Sequence, residues 1–428
     1  MMFKLHRHFV LLQILGVAFL CQAAAAQTDV GATLRELIEN QQRILVLKET
    51  ARPEQRPEAR RAGQYLFFRN QHLGQQLLAA MTQSPQGIPT RYQEMVGVID
   101  DPAYGDEDRL VLRGVLEVLS HKLPPDERLD VLRRLERVAA LRKKLGGDYA
   151  TAFQHVPLKP GSPAPAAWSD YVARLAAKTT VEQILAQLDR ELIAELPGEP
   201  SEASARARVL EWNGEELPEQ TVLLTFDDGP HFVHTPAVLD ILKREGVHAI
   251  FFQVGRNLGE IKGGTAVAGH NLEVVSRIVA DGHAVGNHSF THPVLPKLDS
   301  KAVAAEIADT QALLDAMVPV GNARSGSFRP PYGARDDRVL AEIDLHHLRS
   351  VVWNIDSEDW ADPVPESIAH RVVRETEKAG RGIILMHDIH ARTVEALPLV
   401  IQELKKRGFK FVHWDGRALV LDSGAEPR

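Results

Sequence analysis

The sequence predicts an α/β C-terminal domain, built as an irregular seven-stranded (β/α) barrel, preceded by an all-α N-terminal domain. Three observations lead there. Up to about Leu196 the apolar residues recur at the helical period. After Pro218 seven short apolar, β-branched runs alternate with amphipathic segments of helix length. Between the two patterns, Pro197-Gly198 stops the last helical stripe. Regular alternation of strand and helix implies a parallel sheet with helices on its faces. An open doubly wound sheet is the alternative. At 428 residues the chain is long enough for two domains. The expected division is a signal peptide over 1–26, a helical domain over 27–204 and the α/β domain over 205–428.

The first residues read as an export signal. Lys4 and Arg7 precede an apolar run from Phe9 to Leu20, followed by small residues through Ala26. The run is short for a membrane span, so no stable span is expected after cleavage. Cys21 is the one cysteine. Cleavage after Ala26 removes it and leaves no disulfide; lipidation at Cys21 is the alternative, disfavoured by Leu20 before it. The expected location is periplasmic or secreted. The formal charge of −7 argues against a nucleic-acid partner held by phosphate neutralisation.

In the helical half, Leu34, Leu37, Ile38 and Leu45 fall on one face. Arg60 to Met81 continues with Leu66, Leu73 and Leu77, and Asp106 to Lys122 with Leu110, Leu112 and Leu116. Asp126 reads as the N-cap of a helix that Gly146-Gly147 ends. Breaks fall at Pro53 to Pro57, Ser84 to Pro89 and Pro124-Pro125. Pro157 to Pro165 reads as a linker, and a last helix runs from Val181 to Leu196. His72, His121 and His155 are scattered singly and read as surface histidines. No catalytic set stands out, and this half is expected to position the chain or bind an unknown partner.

The expected strands of the second half are Thr221–Phe226, His248–Val254, His283–Asn287, Gly326–Arg329, Ser350–Ile355, Gly382–Met386 and Phe409–His413. Helices are expected between most of them. The first strand ends on Asp227-Asp228-Gly229-Pro230, where Pro lacks a ladder N–H and Gly tolerates positive φ. Adjacent carboxylates at a strand end point different ways, one toward a metal and one toward a substrate. A plain turn is the competing reading. His288-Ser289-Phe290-Thr291-His292 places two histidines four apart, which meet one cation if the segment makes a helical turn. Arg329-Pro330-Pro331-Tyr332-Gly333 is a stiffened loop with an Arg at its root. Asp356-Ser357-Glu358-Asp359-Trp360 is an acidic cluster ending on an aromatic. Leu385-Met386-His387 is a strand tip carrying a histidine. Each sits at or past the C-terminal end of an expected strand. In a (β/α) barrel those ends share one face, and that face carries the chemistry.

These five motifs, in this order, resemble the full motif set of the polysaccharide deacetylases with a NodB homology domain, carbohydrate esterase family 4. The resemblance covers about Glu219 to Val420. It implies a hydrolase that removes N-acetyl groups from the sugars of an acetylated glycan, peptidoglycan or an exopolysaccharide. By that resemblance Asp228, His288 and His292 hold one divalent metal, Zn²⁺ by preference with Co²⁺ or Ni²⁺ able to serve. Asp227 is then the general base and His387 the general acid. Arg329 orients the base, and Asp359 raises the His387 pKa. The backbone N–H of Tyr332 is an oxyanion donor, and Trp360 and Leu385 wall the acetyl pocket. A metal amidohydrolase acting on a small non-sugar amide is the alternative enzyme. A non-catalytic binding module is the alternative class; it is expected to lack a ligand, base or acid, and none is missing. His231 and His234, after the first motif, read as surface histidines. Gly255 to His270, with Gly263-Gly264, reads as a lengthened loop.

Overall fold

A computed structural model describes residues 29–83, 85–136, 138, 141–145, 166–188, 211–318, 324–415 and 418–422. The expected export signal, the expected Pro157–Pro165 linker, Gly146-Gly147, His155 and the end of the expected Val181–Leu196 helix lie outside these residues. The chain divides into two compact units. One comprises Met1–Ala51, Ala62–Lys143 and Tyr171–Ile184; the other comprises Arg52–Arg61, Lys144–Asp170 and Leu185–Arg428.

The first unit is helical throughout its described residues. Its helices are α1 (Val30–Thr50), most of α2 (Arg56–Gln83), α3 (Ile88–Ile99), α4 (Asp106–Ser120), α5 (Pro125–Leu135), and parts of α6 (Ala166–Lys178) and α7 (Val181–Gln187). Helix boundaries fall at the three expected proline breaks, and a further one, between Ile99 and Asp106, was not expected. The Leu34, Leu37, Ile38 stripe of α1 meets Leu73 and Leu77 of α2 and Leu112 and Leu116 of α4 in one buried cluster. Asp29 caps α1, accepting from the Ala32 N–H at 2.8 Å. Asp126 does not cap α5: the helix begins at Pro125 with Pro124 as its cap residue and no side-chain cap bond. Pro at the first helical position is favourable because its missing N–H would have no helical partner. Asp126 therefore lies inside the first turn, where its charge complements the helix dipole. His72 and His121 are exposed, as expected.

The second unit is the barrel. Its strands are β1 (Thr221–Asp227), β2 (Ala249–Gln253), β3 (Gly259–Lys262), β4 (Thr265–Ala268), β5 (Ala284–Asn287), β6 (Arg324–Phe328), β7 (Arg349–Ser350), β8 (Ile355–Asp356), β9 (Gly382–His387), β10 (Lys410–Trp414) and β11 (Leu419–Leu421). The barrel wall runs β8-β9-β1-β2-β5-β6-β7, all parallel. No ladder among the described residues joins β7 to β8. The barrel is open there, so the expected irregularity is real.

Each residue of β1 is buried, because a parallel strand is covered on both faces. Val222, Leu224 and Phe226 face the helix layer, sharing a cluster with Val238, Leu239 and Leu397. Leu223 faces the interior with Ile250, Phe252 and Ile383. This alternation sets which face the strand tips present.

Three expectations need correction. The Ser350–Ile355 strand is split into β7 and β8. Asn354 uses its side chain where a ladder would need its backbone, donating to the Arg381 carbonyl and accepting from the Ile383 N–H at 2.9 Å. The Gly255–His270 segment is not a plain loop. It holds a short helix, Gly255–Leu258, and the antiparallel hairpin β3–β4. Gly263 and Gly264, at φ of 57° and 81°, form its turn. The final strand is followed by β11, which pairs antiparallel with β10.

Candidate active site and metal centre

Alternation along β1 would send Asp227 and Asp228 to opposite faces. It ends at Asp228, whose φ is 73°. Asp tolerates this left-handed conformation better than most residues. The two carboxylates therefore converge instead of diverging as expected. His288 Nε2 lies 3.6 Å from Asp227 Oδ2 and 3.5 Å from Asp228 Oδ1. His292 Nε2 lies 3.2 Å from that same Asp228 oxygen. The His288–His292 segment is not a helical turn. It is a loop in which Ser289 and His292 both take φ of 63°, and it is that bend which brings the two rings within 4.8 Å of each other.

Both rings are held with Nε2 facing inward. His288 Nδ1 donates to the Arg329 carbonyl at 2.6 Å. The Tyr332 hydroxyl donates to the His292 carbonyl and so is left to accept from His292 Nδ1, each at 3.0 Å. Fixing Nδ1–H in this way leaves the Nε2 lone pair free for a cation. Ligand atoms of Asp228, His288 and His292 lie within 4.8 Å of one another. Burial pushes the His292 pKa down to about 3, against the pull of the Asp228 carboxylate. For Asp228 burial acts upward, but His292 and His288 outweigh it and hold the carboxyl well below its usual range. One carboxylate and two imidazoles fit a borderline-soft divalent ion.

Arg329 supports the Asp227 carboxylate. Its guanidinium is wholly buried. Nη1 donates to Asp227 Oδ1 at 2.7 Å and to Thr225 Oγ1 at 2.8 Å, and Nε donates to the Val351 carbonyl at 3.1 Å. The plane of the guanidinium rests on Phe252, 4.2 Å from the ring centroid. A buried Arg is tolerated only when its donors find partners.

His387 ends the neighbouring strand, β9. It pairs in register with Asp227 on adjacent parallel strands. Its Nδ1 lies 2.6 Å from Asp359 Oδ1, while Asp359 Oδ2 accepts from the His387 N–H at 2.8 Å and from Thr393 Oγ1 at 2.6 Å. Burial alone would lower the His387 pKa, but the Asp359 carboxylate outweighs it and pushes the value up to about 10. Trp360 and Leu385 are buried nearby in sequence and register, Leu385 opposite Thr225 and Asp356. Tyr332 adopts φ of 64° in its turn.

Thus the predicted carboxylates, histidines and Arg329 come together in one rim. Thr225, Thr393 and the Tyr332 hydroxyl were not predicted. Their roles depend on contacts distant in sequence, and no local pattern announces them. His231 and His234 do not contribute to this group. Their rings stack at 4.5 Å, and His231 Nδ1 accepts from the Val233 and His234 N–H groups. His234 is buried rather than on the surface.

A family model described as Polysaccharide deacetylase matches residues 214–351. A peptidoglycan-N-acetylglucosamine deacetylase of Listeria monocytogenes is 36% identical over 199 residues, 45% of this chain and 38% of that protein. The chain thus spans about two fifths of that relative's length. A chitooligosaccharide deacetylase of Azorhizobium caulinodans is 33% identical over 45% of this chain and 91% of its own. Among solved structures, a peptidoglycan deacetylase of Bdellovibrio bacteriovorus shares the fold across 92% of this chain and 96% of its own, with a TM-score of 0.54 and 21% identity.

Proposed function

This chain belongs to the polysaccharide deacetylase family, and from that membership we propose that it hydrolyses the N-acetyl groups of N-acetylglucosamine-type residues in an extracellular glycan. The observation that carries the proposal is the register pair Asp227 and His387 beside the Asp228, His288, His292 group. Hydrolysis of an amide needs a base for the attacking water and an acid for the departing amine, on opposite sides of one carbon. Two titratable groups on neighbouring strand tips meet that demand.

A divalent ion held by Asp228, His288 and His292, Zn²⁺ by its donor set, would polarise the acetyl carbonyl and acidify a water. The chain's own residues do the rest. Asp227 takes the proton of the attacking water. Arg329 keeps that carboxylate aimed, since its Nη1 occupies Oδ1 and leaves Oδ2 toward His288. The Tyr332 backbone amide donates to the oxygen on which negative charge develops. His387 protonates the leaving nitrogen, and Asp359 holds it in the cationic form until that step. Trp360 and Leu385 enclose the acetyl methyl.

Peptidoglycan is the preferred substrate, supported by the Listeria relative's name. Chitooligosaccharides are the nearest competitor, supported by the Azorhizobium relative's name. Export through the signal over 1–26 would bring the protein to either glycan. The helical domain would engage a separate partner. The deciding experiment is acetate release by the full-length protein from peptidoglycan and from chitooligosaccharides, with Zn²⁺ and after chelation. Release from at least one glycan that stops on chelation is expected. Acetate release that survives complete metal removal would overturn the reaction proposed here.

A further inference from the structure

A second cluster of metal-type side chains lies beside the middle of β1, away from its Asp227 tip. There β10 pairs with Thr221 and Val222, and β2 takes over the same edge from Leu224 onward. Where the two strands meet, His248 just before β2 approaches His413 of β10, their rings 4.8 Å apart. Asp422, directly after β11, reaches between them. Its Oδ1 lies 2.6 Å from His248 Nδ1 and 2.7 Å from His413 Nδ1. Its Oδ2 accepts from the His248 N–H at 3.2 Å. Ligand atoms from the three residues lie within 4.8 Å of one another.

The His413 contact is the informative one. His413 Nδ1 is buried and makes no hydrogen bond among the described residues, although Asp422 Oδ1 is at contact distance. The nitrogen and oxygen therefore do not aim at each other. Two donor atoms brought this close without a proton aligned between them repel, unless a cation lies off the line joining them. His248 Nδ1, by contrast, does hydrogen-bond to that oxygen, and a metal would displace the proton. The side chains of His248 and His413 are 35% and 20% exposed, so an ion has a way in.

We propose that His248, His413 and Asp422 form a second divalent-cation site, distinct from the catalytic group and selective for a borderline ion such as Zn²⁺. Two imidazoles and one carboxylate are a zinc-type donor set, and water would complete a tetrahedron. Donors about 2 Å from an ion stand over 3 Å apart, so binding opens the two short contacts by less than 1 Å. The site ties the strand edge of β2 to the terminal hairpin β10–β11. It clips the barrel beside the middle of β1 while the catalytic residues occupy the strand ends.

The test is zinc stoichiometry on the full-length protein, stripped with chelator, reloaded with Zn²⁺ and desalted. Wild type should retain two equivalents. His288→Ala should retain one, and His288→Ala/His413→Ala none. His413→Ala alone should keep one equivalent and, with zinc present, wild-type acetate release. Zinc should raise the melting temperature of His288→Ala, and this rise should vanish in His288→Ala/Asp422→Asn. If His413→Ala does not fold, as judged by circular dichroism, Asp422→Asn gives the same reading. One equivalent in wild type, or a second equivalent that persists in both variants, would overturn the site.

Discussion

Arg329 Nη1 donates to Asp227 Oδ1 at 2.7 Å inside a site where the arginine has no exposed surface. Breaking a buried pair by removing one partner leaves an uncompensated charge, at a cost of about 3–5 kcal/mol. Arg329→Met is expected to lose stability of that order in urea unfolding and to lose turnover. Asp227→Asn should abolish turnover but keep the metal at the proposed catalytic site, because the proposed ligands are Asp228 and the two histidines. The double variant Arg329→Met/Asp227→Asn should recover part of the stability lost by Arg329→Met. Equal stability of the single and double variants would mean that Arg329 acts only through Thr225 and the Val351 carbonyl.

The pairing of His387 with Asp359 predicts where activity ends on the alkaline side. A general acid works only while protonated, so turnover should fall as pH rises through the His387 pKa. That pKa is raised, burial opposing and Asp359 prevailing. Asp359→Asn removes the raising charge and leaves burial, so the alkaline limb of kcat/KM should move toward lower pH. His387→Ala should reduce kcat by about 10²- to 10⁴-fold and erase the limb. An unchanged alkaline limb in Asp359→Asn would assign it to another group.

Much of this site was legible because its residues cluster locally at strand ends. Val222 to Phe226 reads as a strand since both its faces need apolar side chains, and the motif after it follows directly. What sequence could not give is backbone sign. The positive φ of Asp228 and the bends at Ser289 and His292 decide that the carboxylates converge and that the histidines meet without a helix. The β3–β4 hairpin was hidden for another reason. Its strands are four residues each and largely exposed, so no apolar run marks them. The His248, His413, Asp422 cluster was hidden by distance, since its members lie on three separate elements with no spacing to detect.

The Tyr332 hydroxyl supplies a test of how tightly the metal group is built. It fixes the His292 ring through Nδ1 and the His292 carbonyl. Loss of such an outer partner typically lowers metal affinity about 10- to 100-fold. Tyr332→Phe should show that loss by competition with a chromophoric chelator. At saturating zinc it should regain most of its activity, because the hydroxyl is not proposed to touch substrate. Failure to regain activity at saturating metal would point instead to a direct role for the hydroxyl.

Asp388 follows His387 and makes stability depend on pH in the metal-free protein. Its carboxyl is buried, and its Oδ2 accepts from Thr235 Oγ1 at 2.5 Å. Burial, with Asp228 adding to it, raises the pKa from 3.8 to about 7. The folded state therefore binds this proton more tightly than the unfolded chain does. The resulting stabilisation is full below pH 3.8 and is lost as pH rises through about 7. Asp388→Asn cannot ionise, so it lacks this loss. In urea melts at pH 5 and pH 8, wild type should weaken between the two by more than the variant does, by a few kcal/mol at most on the scale of about 1.4 kcal/mol per pKa unit. Parallel pH dependence in the two proteins would show that Asp388 stays ionised in the fold, with its charge met by the histidine beside it.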